Sequence, residues 1–155
     1  MIRLATHTDI SAIAAIWNPI IRNTTVTFNT VEMTHEVLQR MIDTRPVFVA
    51  ATNEVAGFAT YGPFRGGIGY RFVAEHTIMV MEEVRGQGVG RALMAALEKS
   101  ARESQIHAFW AGVSAENQEG VDFHKAIGFE EHARLPEVGH KFGRYLDLVL
   151  MQKRL

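Results

Sequence analysis

The sequence contains no cysteine among its 155 residues. This absence excludes disulfide bonds, thiolate catalysis and cysteine-ligated zinc, and it favours a reducing compartment, for which we expect the cytoplasm. An excess of either charge is also missing, because 16 Lys and Arg side chains nearly balance 17 Asp and Glu side chains. With a formal net charge of -1, no bulk field attracts nucleic acid or an anionic membrane. We expect neither as a partner, and an anionic ligand would need a local site.

Long apolar runs, internal repeats and flexible linkers are absent as well. The opening residues, MIRLATHTD, have a charge at the third position and few apolar side chains, so we predict neither a signal peptide nor a membrane anchor. No stretch rich in Pro, Gly and Ser divides the chain, and 155 residues suffice for one ordinary core. We therefore expect a single domain over residues 1–155.

The seven histidines do not show the spacing of a metal site. Four of them are scattered singly along the chain, and the metalloprotease pattern H-E-x-x-H does not occur. The two Glu-His pairs, at residues 75–76 and 131–132, fall on different predicted strands. We expect no metal.

Apolar periodicity predicts an alternation of helices and strands. Helices are predicted after Thr6, Thr34 and Gly88 and over residues 117–127. Pro19 should kink or end the first helix near Asn18, because proline lacks the N–H that a helix interior needs. Strands are predicted over residues 2–4, 47–51, 55–62, 70–81 and 107–114 and in the segments GFEEHARL and GRYLDLVLMQK, with 70–81 the longest. This order predicts an α/β fold with one mixed sheet and helices on both faces.

One glycine-rich segment, EVRGQGVGRA at residues 83–92, precedes the third helix. Its spacing G-x-G-x-G differs from the dinucleotide pattern G-x-G-x-x-G, and it lacks the Lys-Ser/Thr pair of a nucleotide-triphosphate loop. Backbone N–H groups at a helix start attract phosphate, and Arg85 and Arg91 flank this one. Taken by itself, the segment fits an anion site and a plain tight turn equally well.

Residues 85–90, RGQGVG, resemble the R/Q-x-x-G-x-G/A signature of the GCN5-related N-acetyltransferase superfamily, in which it cradles the coenzyme A pyrophosphate. Asn117, His124 and Gly128-Phe129 resemble the N-x6-Y/H-x3-G-F segment of the same superfamily. Longer stretches are similar to the branch of phosphinothricin, methionine sulfoximine and methionine sulfone acetyltransferases: 17–28, 74–80, 116–129 and 138–152. Within that pattern Gly120 and Asp122 are departures.

The resemblance implies a single-domain α/β fold with a mixed, mostly antiparallel sheet of about seven strands and helices on both faces. A splay between the fourth and fifth strands would hold the pantetheine arm. The implied activity is acetylation of the α-amino group of a small amino acid or analogue by acetyl-CoA, by direct attack in a ternary complex, in a homodimer. The alternatives are acetylation of a protein N-terminus or another amine, and a non-catalytic sensor that binds acyl-CoA.

The resemblance also implies the residues that contact coenzyme A. They lie at the end of the predicted 70–81 strand, in the glycine-rich segment and on the last helix: Ile78, Met79, Val80, Arg85, Gly86, Gln87, Gly88, Val89, Gly90, Arg91, Asn117 and His124. The N–H of Val80 is the candidate oxyanion donor. An N-cap role explains Asn117 equally well.

Glu75 is the candidate general base, because it lies among apolar neighbours where burial should raise the pKa of its carboxyl group. From the residues alone, a solvent-facing carboxylate or a pair with Arg71 is the more ordinary explanation; the resemblance assigns it the base, acting directly or through water. His124 would protonate or hydrogen-bond the leaving thiolate, unless it is a packed helix-face residue. His76 should face away from Glu75, into the core or against the site.

Two residues are candidates for binding the amine substrate. Arg71, four residues before Glu75, would clamp a substrate carboxylate, although a surface ion pair is equally plausible. Phe28 would wall the amino-acid side chain, although a core position explains it as well. Lys141 and Arg144 match the branch, but no role follows for them from the sequence.

Overall fold

A computed structural model describes residues 1–155, and its backbone forms seven strands and four α-helices. The strands are β1 (Ile2–Leu4), β2 (Val47–Ala51), β3 (Val55–Pro63), β4 (Val73–Val80), β5 (Ala108–Ser114), β6 (Glu130–Lys141) and β7 (Arg144–Arg154). The helices are α1 (Ile10–Asn23), α2 (His35–Thr44), α3 (Val89–Glu103) and α4 (Gln118–Ala126). None of these helices combines the length and the hydrophobicity that a membrane crossing needs.

All seven strands belong to one sheet in the order β1-β2-β3-β4-β5-β7-β6. Only the β4–β5 pair is parallel, and every other neighbouring pair is antiparallel. The chain reaches β5 from β4 through α3, because a parallel connection needs a crossover. The predicted mixed, mostly antiparallel sheet is confirmed.

Each face of the sheet has its own apolar core, because successive strand residues point to opposite faces. On one face, Phe58 of β3 packs with the buried stripe of α1 and with Leu38 of α2. On the other face, the neighbouring Ala59 packs with Leu93 and the rest of the α3 stripe. Helices therefore cover both faces, as predicted.

The parallel pairing of β4 with β5 is short. It joins Val73 to Ala108, Ala74 to Phe109 and Glu75 to Trp110, and no further pair follows. Strand β4 then runs on to Val80 and β5 to Ser114 without hydrogen bonds between them. The predicted splay between the fourth and fifth strands is confirmed.

The prediction that Pro19 ends the first helix near Asn18 is wrong, since α1 continues to Asn23, and the alternative of a kink there stays a prediction. A proline in a helix removes one N–H donor, but the helix survives where side chains on both sides of it are packed. Ile16 and Ile21 are such side chains, with 7% and 1% of their surface exposed.

The predicted 70–81 strand is also shorter than expected and is not the longest. Residues Ile68–Tyr70 form a turn of 3-10 helix, so β4 begins only at Val73. The longest strand is β6, whose twelve residues extend well past the predicted segment GFEEHARL. Register shifts between Glu131 and Ala133 and between Leu135 and Gly139 interrupt its pairing with β7. The alternation of inward and outward side chains along β6 is therefore irregular, and its full length could not be predicted from the sequence.

Candidate active site

A cavity of about 310 Å³ opens where β4 and β5 separate. Five parts of the chain line it: α1 with the segment after it, β4, β5, α4 with its N-cap, and β7. The lining includes Trp17, Val26, Thr27, Phe28, Asn29, Glu75, His76, Thr77, Ile78, Met79, Gly112, Val113, Ser114, Asn117, His124 and Leu148. Of the predicted site residues, Phe28, Glu75, Ile78, Met79, Asn117 and His124 are thus brought together.

Glu75 is the last β4 residue that pairs with β5, and its carboxyl group lies inside the splay. Its oxygen Oε1 lies over the backbone of Gly112, so near that a Cβ atom on Gly112 would be 2.9 Å from it. The side chain remains accessible from the cavity, but the surrounding protein still raises the pKa of the Glu75 carboxyl by burial. A carboxylate with a raised pKa, open to a cavity, is suited to accept a proton.

His76 points away from Glu75, as predicted, and contacts His124 on α4. The two Nε2 atoms are 2.9 Å apart, and both rings are almost fully buried. Phe129 packs against both imidazoles, with ring centroids 5.1 to 5.2 Å away. The histidine pair thereby links α4 to β4 at the cavity wall.

The hydrogen bonds of the pair define its tautomers. Nδ1 of His124 lies 2.7 Å from the carbonyl oxygen of Gly120, so this nitrogen carries a proton and donates it. In the neutral pair Nε2 of His124 therefore accepts from Nε2–H of His76, which leaves Nδ1 of His76 buried without a partner. No free N–H of His124 faces the cavity in this arrangement, so proton donation to a leaving thiolate would require its ring to rotate.

Burial keeps this pair uncharged. Desolvation, with the neighbouring His124 adding to it, lowers the pKa of His76 to about 3. Desolvation also lowers the pKa of His124, against the opposing effect of the Gly120 carbonyl. At neutral pH both imidazoles are therefore neutral.

The glycine-rich segment forms a tight turn that leads directly into α3. Gly86 and Gly88 have φ angles of 76° and 82°, a left-handed conformation that side chains disfavour. The N–H groups of the first helical turn have no acceptor within the helix, and they face outward together with the positive end of the α3 dipole. Arg85 has only a long contact of 3.7 Å to Glu119, and Arg91 one of 3.4 Å to a carbonyl. Neither guanidinium group is held by a short contact, so both are available to an anion.

The backbone of β4 presents polar groups to the splay in alternation. Because Met81 N–H donates to Ala56 O in the antiparallel pair with β3, the N–H and C=O groups of Ile78 and Val80 point away from β3. Those of Met79 point toward β3, so only the side chain of Met79 can contribute to the cavity. The N–H of Val80 therefore faces the splay, as its predicted role of oxyanion donor requires.

Asn117 caps α4 through its side-chain oxygen, which accepts from Gly120 N–H at 3.0 Å. A Cβ atom at Gly120 would collide with the Asn117 side chain and would lie 3.1 Å from Val113. The glycine that departs from the branch pattern therefore accommodates this cap. Asp122, the other departure, accepts a hydrogen bond from Gln118 on the exposed side of the helix.

The structure does not bring Arg71 to the cavity. The residue precedes β4, its guanidinium donates to Ile68 O at 2.9 Å, and its Cζ lies 4.4 Å from the centre of the Phe72 ring. The assumption that Arg71 shares a strand with Glu75 is therefore wrong, and its role as a carboxylate clamp stays a prediction.

Several cavity residues were not predicted from the sequence. Trp17 and Ser114 line it, with 7% and 2% of their surface exposed, and Gly112 provides the space for Glu75. Apolar periodicity explains Trp17 fully as a core residue, and the strand pattern gives no reason to single out Ser114. Only a glycine in mid-strand, which often marks a close approach, would have indicated Gly112. No group of three or more His, Cys, Asp or Glu side chains is placed to hold a metal ion.

The combination of a splayed parallel strand pair and a glycine-rich helix start defines the class of protein. The family model described as "Acetyltransferase (GNAT) family" matches residues 14–129. The chain therefore belongs to the GNAT acetyltransferase family, and the predicted superfamily is confirmed.

Curated relatives lie in the predicted branch. The chain is 38% identical over 161 residues to the L-methionine sulfoximine/L-methionine sulfone acetyltransferase of Pseudomonas aeruginosa, with 99% of this chain and 94% of that protein covered. It is 28% identical to the phosphinothricin N-acetyltransferase of Streptomyces coelicolor, over 99% of this chain and 95% of that protein.

Solved structures agree in fold. The yncA protein of Salmonella typhimurium, solved with its cofactor acetyl-CoA, has a TM-score of 0.94 and 33% identity, with 100% of this chain and 93% of that chain covered. A protein of Brucella melitensis described as a ribosomal-protein-alanine N-acetyltransferase has a TM-score of 0.92 and 41% identity, over 100% of this chain and 99% of that chain.

The buried histidine pair predicts a pH-dependent stability. The unfolded chain protonates its histidines near pH 6.5, whereas folded His76 resists protonation down to about pH 3. The folded protein therefore keeps its full stability above pH 6.5. As the pH falls below 6.5, the free energy of unfolding decreases by up to about 1.4 kcal/mol per pH unit for each histidine that stays neutral only in the folded state. Urea unfolding at pH 7.5 and pH 5 measures this slope.

His76→Asn should flatten the slope, whatever it does to stability at neutral pH. His35→Asn, at an exposed position at the start of α2, is the matched control and should leave the slope unchanged. Equal slopes in the wild type and in His76→Asn would contradict the assignment of a neutral buried pair.

Proposed function

We propose that this protein transfers the acetyl group of acetyl-CoA to the α-amino group of a small amino acid or analogue, of the methionine sulfoximine, methionine sulfone or phosphinothricin type. The observation that carries the proposal is the position of Glu75, whose carboxyl group has a raised pKa and lies in the splay. The names of the curated relatives support this substrate class.

Acetyl-CoA would bind along β4 and the start of α3. The N–H groups of the first turn of α3, with Arg85 and Arg91, suit the pyrophosphate, which carries negative charge. The N–H and C=O groups of Ile78 and Val80 face the splay and can pair with the pantetheine amides. Acetyl-CoA supplies the acetyl thioester, and no metal is required for this chemistry.

The reaction would proceed by direct attack in a ternary complex. Glu75, directly or through one water, removes a proton from the ammonium group, and the amine nitrogen then bonds to the thioester carbonyl carbon. The Val80 N–H stabilises the oxyanion, the C–S bond breaks as the carbonyl reforms, and the nitrogen gives up its second proton to the leaving thiolate, directly or through water. No cysteine is available to carry an acetyl-enzyme intermediate.

The leaving thiolate needs little help from an acid. A thiol has a pKa of about 8.5, so the coenzyme A thiolate leaves readily near neutral pH, and the second proton of the amine nitrogen can reach it through water. Both nitrogens of His124 are engaged by Gly120 and His76, and burial lowers its pKa. A role of His124 as proton donor remains a prediction, while its observed contacts favour a role in holding α4 against β4.

A second candidate function is acetylation of a protein N-terminus. It is favoured by the likeness to the Brucella melitensis structure, which is described as a ribosomal-protein-alanine N-acetyltransferase. The names of the curated relatives favour a small amino-acid analogue over a protein N-terminus.

The proposal includes a homodimer that works in the cytoplasm. Val138, Phe142 and Tyr145, at the end of the β6–β7 hairpin, are each more than half exposed, and such apolar side chains are commonly covered in an interface. The lack of cysteine is compatible with a reducing compartment.

Glu75→Gln should lower the turnover number by about a hundredfold or more, because the amide cannot accept the proton. The dissociation constant for acetyl-CoA should change little. Burial raises the pKa of Glu75, so the folded state loses stability as the pH rises through that pKa and the buried carboxyl becomes charged. Gln carries no charge and removes this cost. The melting temperature at pH 7 should therefore not fall. Thiol release, calorimetric titration with acetyl-CoA and thermal unfolding measure the three quantities.

Glu54→Gln is the control, because Glu54 is an exposed carboxylate in the turn between β2 and β3. It should leave all three quantities unchanged. Turnover by Glu75→Gln at the wild-type rate would remove Glu75 as the base.

A panel of amines should distinguish the candidate functions by thiol release from acetyl-CoA. We expect turnover of methionine sulfoximine, methionine sulfone, phosphinothricin or an ordinary amino acid, and none of a peptide that begins with alanine. Turnover of the peptide alone would show the second function to be correct. Binding of acetyl-CoA without thiol release on any amine would indicate a sensor.

A further inference from the structure

The segment between α1 and α2, residues 24–34, walls the amine side of the cavity, and we name it the acceptor loop. It contains no helix or strand, yet its contacts hold it in place. At its far end, Asn18 exchanges two hydrogen bonds with the backbone of Met33, at 2.8 and 3.1 Å. At its near end, the Thr25 hydroxyl donates to Glu116, which also forms a bidentate ion pair with Arg144. The loop is therefore a fixed wall.

Strand β6 holds the middle of the acceptor loop. Lys141 has only 2% of its surface exposed, and its ammonium group donates to the carbonyl oxygen of Thr27 at 2.9 Å. Burial lowers the pKa of Lys141. A buried ammonium group that bonds to a loop carbonyl fixes the backbone immediately before Phe28.

One edge of the Phe28 ring lies directly against Gly139 of β6. A Cβ atom on Gly139 would be 2.5 Å from Cδ2 and 2.9 Å from Cγ of Phe28, closer than such atoms can approach. Phe28 also lines the cavity. The position of the ring is thus set by the absence of a side chain at residue 139.

We propose that Gly139 determines acceptor specificity, because it lets Phe28 stand back from the cavity and so sets the room for the amino-acid side chain. The proposal rests on the proposed function, in that this side of the cavity receives the amine. Gly139 itself does not line the cavity and acts through Phe28.

A methyl group at residue 139 would push the ring toward the cavity. Strand β6 cannot easily withdraw, because Gly139 is paired with Leu146 of β7, which is buried at 2% exposure. The loop cannot easily shift as a whole either, because Lys141 holds Thr27. The cavity would lose roughly the volume of a methyl group, a difference that hydrophobic pockets discriminate by about 10- to 200-fold.

Gly139→Ala therefore should lower kcat/KM for methionine sulfone by about tenfold or more, and for alanine much less. The KM for acetyl-CoA should stay constant. In a Phe28→Ala background, where no ring remains to be displaced, the same Gly139→Ala change should have little effect on either amine. Steady-state kinetics of the four proteins form a double-mutant cycle.

Gly66→Ala is the matched control, because a Cβ atom there meets no atom within 4 Å. It should leave every constant unchanged. Melting temperatures of all variants distinguish displacement of the ring from loss of fold.

An equal loss on both amines, a changed KM for acetyl-CoA, or a Gly139→Ala effect that persists without Phe28 would overturn the proposal. Its failure is separable from failure of the proposed function. If the wild type acetylates only the peptide, the substrate class is wrong, and the same cycle measured on peptides with small and large first residues still decides whether Gly139 acts through Phe28.

Discussion

The hydrogen-bonded pairing of β4 with β5 ends at Glu75 and Trp110. The rest of the site depends on the separation of the two strands beyond this point. If the two strands stayed paired to Val80, their backbone groups would satisfy each other and no cavity would form between them. Because they separate, Ile78 and Val80 keep polar groups that face the splay, and Glu75 lies at its base. The glycine-rich segment and α3 follow the end of β4 along the chain.

Missing side chains shape both sides of the cavity. Gly112 leaves the space that the Glu75 carboxyl occupies, and Gly139 leaves the space behind Phe28. Glycine in a strand weakens it, so these two positions carry a cost in stability that the close approach explains. Between β4 and α4 the cavity wall is instead built of large side chains, because His76, His124 and Phe129 pack together there.

The helices and most of the strands could be predicted, because they depend on local apolar patterns, and the family resemblance implied the fold class and the splay. The spacing of Gly86 and Gly88 and the apolar stripe of α3 lie within one short segment. The contact of His76 with His124 spans 48 residues, and that of Lys141 with Thr27 spans 114. No local pattern contains such contacts, so the roles of Lys141 and Gly139 emerge only from the folded chain. The turn at 68–70 likewise separates Arg71 from the strand that its spacing had suggested.

The electrostatics of the site follow from burial more than from charge pairing. Desolvation raises the pKa of Glu75 and lowers those of His76 and His124, so burial disfavours the charged form of each of these three groups relative to water. For Glu75 this means a carboxylate that binds a proton more readily than a free one, which is what a base for an ammonium group needs.

The most direct measurement of the central claim is an NMR titration of the Glu75 side-chain carboxyl, compared with the pH dependence of turnover by the same protein. We predict that the carboxyl titrates above its ordinary value of 4.5 and that turnover is lost at acid pH with the same midpoint. A carboxyl that titrates at or below 4.5, or turnover that ignores its titration, would contradict it.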